Sequence, residues 1–257
     1  MNARISWITI APVKGLALTS MQEAVLEWGG VAGDRAFHLL DVAGRLVNGK
    51  QLGRLMAVRA ETANGRLELR LPDGTAVSGE VELGDAVATD FYGRPVPGHV
   101  VVGPWAEALS GLAGQRVRLV KVDAAGDGVD RGVEAAVTLL GTASLDALAR
   151  AAGLEARPDA RRFRMLLGVD GLDAHEEDTW LGNRVRVGEA VVVPRGNVGR
   201  CAVTTFDPDT CERDLDTLHV LREYRARVLT TEPLPFGVWG EVVEPGRVAV
   251  GDPVVVE

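Results

Sequence analysis

The sequence predicts a mostly β protein with a few helices, an α+β chain in which one β-barrel domain follows another. Three observations predict it. Short runs that alternate apolar and polar residues recur through the first ninety residues and return after residue 180. Turn dipeptides such as Asn64-Gly65 and Asp73-Gly74 separate these runs, and regularly spaced short strands point to a barrel or sandwich. Only three segments carry the three- and four-residue apolar spacing of a helix.

In order, Ile5–Ile10 alternates as a half-buried strand does, and Val25–Trp28, Ala36–Asp41 and Arg66–Leu71 repeat the pattern. A short helix is expected over Trp105–Leu112, after a proline, and Leu119–Val122 reads as a strand. Ser144–Ala152 has helical apolar spacing and ends at Gly153, with Thr142 or Ser144 available as its cap. Met165–Val169 reads as a strand, and the Asp159-Ala160-Arg161-Arg162-Phe163-Arg164 run before it is taken as extended, which puts Arg162 and Arg164 on one face. Arg184–Val187 and Ala190–Pro194 are strands, a last helix is expected near Leu215–Arg227, and Arg247–Val256 is a strand, a turn and a strand. The glycine- and charge-rich stretch Val122–Gly132 reads as a linker. The expected division is a first domain over 1–95, a helix, strand and linker over 96–130, and a second domain over 131–257.

The 257 residues are 46% hydrophobic and 25% charged, which suits a protein with a substantial core. A net charge of -8 argues against a nucleic-acid partner, which needs a basic stripe. No apolar run reaches the length of a membrane span and no signal peptide is visible, so no membrane association is expected. With only two cysteines, the expected location is the cytoplasm. A turn at Pro208-Asp209 sets Cys201 opposite a residue near 216, which argues against a Cys201–Cys211 disulfide. The spacing of the cysteines and of four scattered histidines does not resemble a zinc site. The common nucleotide-binding, zincin and hydrolase motifs are absent.

Four places carry chemistry. Lys14 lies on a loop bounded by Pro12 and Gly15; it is either a solvated lysine or a point charge for an anion. Arg35 follows Asp34 and either pairs with a carboxylate or forks onto phosphate oxygens. Arg164 closes the arginine run. Cys201 directly follows Arg200, whose charge favours a thiolate able to bind a soft metal or carry sulfur; the alternative is a small buried apolar side chain. A pocket shared by Lys14, Arg35, Arg164 and Arg200 asks for a multiply charged anion, with phosphate the obvious candidate.

In that order the four places resemble the MOSC family, named for the C-terminal domain of molybdenum cofactor sulfurase, in its full-length form with an N-terminal β-barrel domain like that of the amidoxime-reducing components. The resemblance rests on Ala11–Gly15, Asp34–Phe37, Ser144–Leu148, Arg162–Leu166, Glu177–Trp180, the run from Arg200 to Thr210, and Val250–Val254. It implies a bound molybdenum cofactor (Mo-molybdopterin), with Cys201 as the metal ligand and catalytic residue. Lys14, Arg35, Arg164 and Arg200 would bind the cofactor. It further implies an oxidoreductase that reduces N-hydroxylated or N-oxygenated small molecules with electrons from a separate protein, ferredoxin- or cytochrome b5-type plus reductase. Two other functions compatible with these residues are sulfur transfer through a Cys201 persulfide and cofactor carriage without turnover. The sequence departs from the family pattern at Gly15, where the family has serine, and at Met165-Leu166, where it has Pro-Asn.

Overall fold

The computed structural model describes residues 3–257 except 48 and 50. In chain order the elements are β1 (Arg4–Ile10), β2 (Thr19–Met21), β3 (Glu23–Glu27), β4 (Gly30–Val31), β5 (Phe37–Asp41), β6 (Leu46–Val47), β7 (Arg59–Ala63), β8 (Arg66–Arg70), β9 (Ala76–Glu80), β10 (Glu82–Phe91) and β11 (Arg94–Val102). There follow α1 (Trp105–Ala113), β12 (Val117–Val122), β13 (Val137–Gly141), α2 (Thr142–Ala151), β14 (Leu167–Asp170), β15 (Val185–Val187), β16 (Ala190–Gly199), α3 (Thr217–Tyr224), β17 (Pro235–Glu244), β18 (Gly246–Ala249) and β19 (Val254–Val256). The protein is mostly β with few helices, as its alternating patterns predict.

An eight-stranded sheet runs β19-β15-β16-β17-β13-β14-β1-β2, antiparallel except for the β13–β14 pair. A five-stranded sheet runs β10-β11-β12-β5-β6, and two three-stranded sheets are β18-β3-β4 and β7-β8-β9. The strands do not sort by chain order. β1 pairs with β14 from Arg4↔Asp170 to Ile8↔Leu167, and β3 pairs with β18. The opening segment thus supplies strands to the sheets of the C-terminal half, while β12 joins β5 and β11. The cause is burial. Ile5 and Ile8 pack with Leu139, Leu167, Val169 and Val238 in one core, and Leu119 packs with Leu39, Leu69, Trp105 and Leu109 in another. Trp105 anchors α1 by donating its Nε1–H to the Leu67 carbonyl at 3.1 Å.

Two local expectations are corrected. Arg161–Phe163 is not extended: Ala160–Phe163 is a 3₁₀ turn, begun by the Asp159 side chain accepting the Arg161 N–H. It stops at Arg164 in the left-handed region, φ 55°. Arg162 and Arg164 therefore part company. Arg162 turns to the Asp214 carboxylate, at 3.0 and 2.9 Å, and to the Thr204 and Phe206 carbonyls. Arg164 alone reaches the site described below. The second correction concerns α2, whose N-cap is Gly141 with no side-chain cap. Thr142 instead donates to Asp170 at 2.7 Å, and Ser144 to Glu177 at 2.8 and 3.1 Å.

Asn64-Gly65 forms the β7–β8 turn, with φ of 50° and 77° and Ala63↔Arg66 as the closing pair. Nothing lies within 4 Å of a Cβ added at Gly65, so Gly65→Ala meets only the left-handed backbone penalty. The expected loss is about 1 kcal/mol, read as a lower denaturant midpoint at unchanged slope.

Candidate functional site

A cleft of about 490 Å³ is lined by Lys14, Arg35, Arg164, Arg200 and Cys201, so the structure brings all five residues singled out from the sequence to one place. Backbone bonds zip the first two loops together. Ala11 N–H donates to Asp34 Oδ1 at 2.8 Å, Arg35 N–H to the Ala11 carbonyl at 2.7 Å, and Lys14 N–H to the Phe37 carbonyl at 2.7 Å. Gly15, at φ 87°, turns the chain where a residue with a side chain is strained. Arg164 arrives from its own left-handed turn. Cys201 follows β16 and opens the 3₁₀ turn Ala202–Thr205, with its carbonyl accepting the Thr204 N–H and Oγ1–H at 3.1 Å each.

The four cations differ in how they are compensated. Lys14 is only 8% exposed, so it is no solvated lysine. Its Nζ lies 2.6 Å from Asp130 Oδ1 and donates to the Gly128 carbonyl at 2.9 Å. Burial lowers its pKa, and the Asp130 charge opposes that. Arg35 pairs with Asp34, and its Nη2 lies 3.4 Å from the Arg164 carbonyl. Among the described residues, neither Arg164 nor Arg200 has a carboxylate partner. Among the described residues the Arg164 side chain makes one hydrogen bond, from Nη2 to the Leu16 carbonyl at 2.7 Å, which leaves four of its five N–H donors unused there. Burial first, then repulsion from Arg35, lowers its pKa to about 10.

Arg200 is turned to the cleft floor. Its Nε donates to the Phe236 carbonyl at 2.9 Å, Nη1 to the Phe163 carbonyl at 2.9 Å, and Nη2 contacts Met165 Sδ at 2.8 Å. The Phe163 and Phe236 rings lie 5.5 and 6.0 Å from its guanidinium carbon. Burial lowers the Arg200 pKa to about 9. Negative charge on Cys201 acts in the opposite direction on both guanidiniums. The thiol itself is exposed and Cys211 half-buried, and both are free. Cys201 is therefore not the small buried side chain that its sequence neighbourhood also allowed.

Several residues of the site carry no distinctive signal in the sequence. Asp130 fell inside the stretch read as a linker, yet it lines the cleft as the Lys14 counterion. Burial would raise its pKa, but Lys14, Arg35 and Arg94 outweigh that and hold it below the usual carboxylate range. Trp239 and Glu232 also line the cleft, with Arg131 over the Trp239 ring at 4.9 Å and paired to Glu232. Asn197 donates to Asp178 Oδ1 at 2.8 Å and so ties the Glu177-Asp178 turn to the cleft wall. Met165 and Leu166 form a buried apolar floor, with the Leu166 N–H donating to Thr138 Oγ1 at 2.8 Å.

The arrangement suits an anion and a soft ligand held side by side. Two half-buried guanidiniums, Arg164 and Arg200, lack acid partners among the described residues, and an exposed thiol opens onto the same space. Among the described residues no group of three or more His, Cys, Asp and Glu is placed to hold a metal.

The sequence profile of the MOSC N-terminal beta barrel domain matches residues 2–96, and that of the MOSC domain matches residues 126–255. Mitochondrial amidoxime reducing component 2 from Macaca fascicularis is 35% identical over 108 residues, covering 39% of this chain and 31% of that protein. Mitochondrial amidoxime-reducing component 1 from Mus musculus is 35% identical over 107 residues, with the same coverage of 39% and 31%. The match thus spans about a third of the length of these curated relatives. Among solved structures, the YUAD protein from Bacillus subtilis aligns with 99% of this chain and 94% of its own at 12% identity and a TM-score of 0.46. With its N-terminal barrel and its C-terminal half both matched in order, the chain belongs to the MOSC family.

Proposed function

We propose that this chain holds a molybdenum cofactor through Cys201 and reduces N-hydroxylated or N-oxygenated small molecules with electrons from a separate redox protein. Membership of the MOSC family supports a molybdenum-cofactor-related function, and the amidoxime-reducing relatives suggest the reaction. The observation that carries the reading is the pair of half-buried guanidiniums, Arg164 and Arg200, that lack acid partners among the described residues and line one cleft with an exposed thiol. A cation partly withdrawn from water without an acid beside it is under-compensated, and an anionic ligand relieves that.

The residues present fit such a group. Arg164 offers unused donors to a phosphate, with Lys14 and Arg35 adding positive charge nearby. Cys201 supplies a thiolate as a soft ligand. Met165 and Leu166 keep water from the floor, and Arg200 braces the Phe163 and Phe236 carbonyls beneath the thiol segment. When bound, the cofactor would supply the redox chemistry needed to reduce an N–O group. The chain's part is to hold it, orient it and leave the Cys201 side open to substrate.

Metal analysis and mass spectrometry of the chain from a cofactor-producing host are expected to find molybdenum and pterin near one per chain. Reduction of a hydroxylamine or amidoxime should follow when reduced ferredoxin, or cytochrome b5 with its reductase, is added. Absence of both molybdenum and pterin contradicts the reading. The exposure of Cys201 favours a second one, sulfur transfer through a persulfide. A persulfide on Cys201 after incubation with a sulfur donor, in protein free of molybdenum, selects it. Tight cofactor binding without any reduction selects a carrier.

A further inference from the structure

A second cavity, of about 650 Å³, adjoins the Cys201 cleft, and Arg164 and Val203 line both. Its walls are the turn before β2, the faces of β7 and β8 with the turn after β8, and the chain around Phe206 and Asp209. Five arginines line it against two carboxylates, Glu61 and Asp209, in a chain of net charge -8. Three of these arginines are held by acids: Arg161 by Asp159 and Asp209, Arg162 by Asp214, Arg70 by Glu68. Among the described residues the other two, Arg59 and Arg164, form no ion pair, although Asp209 feels the Arg59 charge and Asp34 acts on Arg164, and Glu61 forms no ion pair either. Arg164 stands at the junction with the first cleft, and Arg59 is exposed. Met56, Leu71 and Phe206 give the same cavity apolar surface.

A cation with spare donors at one end, apolar walls and a second cation at the rim match an anion that carries a ring-sized apolar body. We propose that this groove is a second ligand site, for an organic phosphate of the nucleoside monophosphate class. The phosphate sits on Arg164 and the body lies along Met56, Leu71 and Phe206, under the field of Arg59. Two sources present this chemistry: a free nucleotide, or a nucleotide joined through a pyrophosphate to the group in the Cys201 cleft. The second source rests on the cofactor reading. The first does not.

Titration calorimetry on the purified full chain with AMP, GMP, CMP and inorganic phosphate tests the site without any requirement for molybdenum. A nucleoside monophosphate is expected to bind more tightly than phosphate. Arg59→Gln should weaken that binding by about fivefold, and Glu61→Gln, which removes an unpaired carboxylate, should tighten it by about fivefold. Both side chains are exposed, and circular dichroism checks that the variants fold. Mass spectrometry of the pterin released from protein made in a cofactor-producing host then separates the sources. A pterin bearing a nucleotide assigns the groove to the attached form, and a pterin without one, alongside free-nucleotide binding, assigns it to a free ligand. The proposal is overturned if no nucleotide binds and none is attached to the pterin, or if binding is the same in wild type and both variants.

Discussion

Replacing Arg164 with methionine is expected to lower cofactor retention by about a hundredfold or more while leaving the fold's stability within about 1 kcal/mol of wild type. The two effects separate because Arg164 has no acid partner among the described residues and its side chain makes one hydrogen bond, to Leu16. In the unliganded chain the substitution removes a half-buried charge and its partial desolvation cost, against the loss of that bond. With an anion present the same substitution removes a cleft guanidinium with four donors free, among the described residues, to fork onto it. Denaturant unfolding of the unliganded protein reads the first effect, and molybdenum and pterin content reads the second. A large loss of stability with normal cofactor content would assign Arg164 a structural role instead.

Glu177→Gln is expected to make the protein more stable than wild type at neutral pH and above. Glu177 is 0% exposed and accepts the Ser144 hydroxyl on both oxygens, at 2.8 and 3.1 Å. Burial raises its pKa from 4.5 to about 7 against the opposing Ser144 hydrogen bond. Between these two values the folded carboxyl keeps a proton that the unfolded chain has released, so stability falls as pH rises through that window. Glutamine keeps an acceptor for Ser144 and does not ionise. The stability difference between variant and wild type should be near zero at pH 4.5 and grow to about 3 kcal/mol in favour of glutamine by pH 8.

His38 and His175, both lowered by burial to about 4, act in the opposite direction. Their stabilisation is in place above the unfolded value of 6.5 and is lost as pH falls through about 4. Both are present in each protein, so subtracting the two pH curves isolates Glu177. A flat difference would mean that the carboxyl is not strained by its burial.

The sequence reveals strands more readily than their partners. The alternation in Ile5–Ile10 is a local signal, but the pairing of Ile8 with Leu167 follows from which apolar faces meet after collapse. No period in the first ten residues encodes a partner so distant. Lys14, Arg35, Arg164 and Cys201 were legible as candidates through the ordered set of motifs that resembles the MOSC family, since each alone is also compatible with a solvated lysine, a paired arginine or a small buried cysteine. Their convergence was not, since a cleft depends on how sheets pack.

The arginine run shows where local reasoning misleads. Alternation puts Arg162 and Arg164 on one strand face, but the Asp159 cap and the left-handed Arg164 set them apart. The sequence hint was the aspartate two residues before Arg161, an N-cap residue type. Asp130 was hidden for the opposite reason. Set among glycines, it reads as solvated linker, and only the buried Lys14 gives it a task. Ser144, read as a helix cap, is held instead by a carboxylate 33 residues away.

The central claim is that the Cys201 sulfur is bonded to molybdenum in the working protein. X-ray absorption at the molybdenum edge, on wild type and Cys201→Ser purified from the same cofactor-producing host, tests it most directly. One sulfur scatterer fewer around molybdenum is expected in the serine protein, or a serine protein that retains no molybdenum. Equal molybdenum content with an unchanged sulfur shell in the two proteins would contradict it.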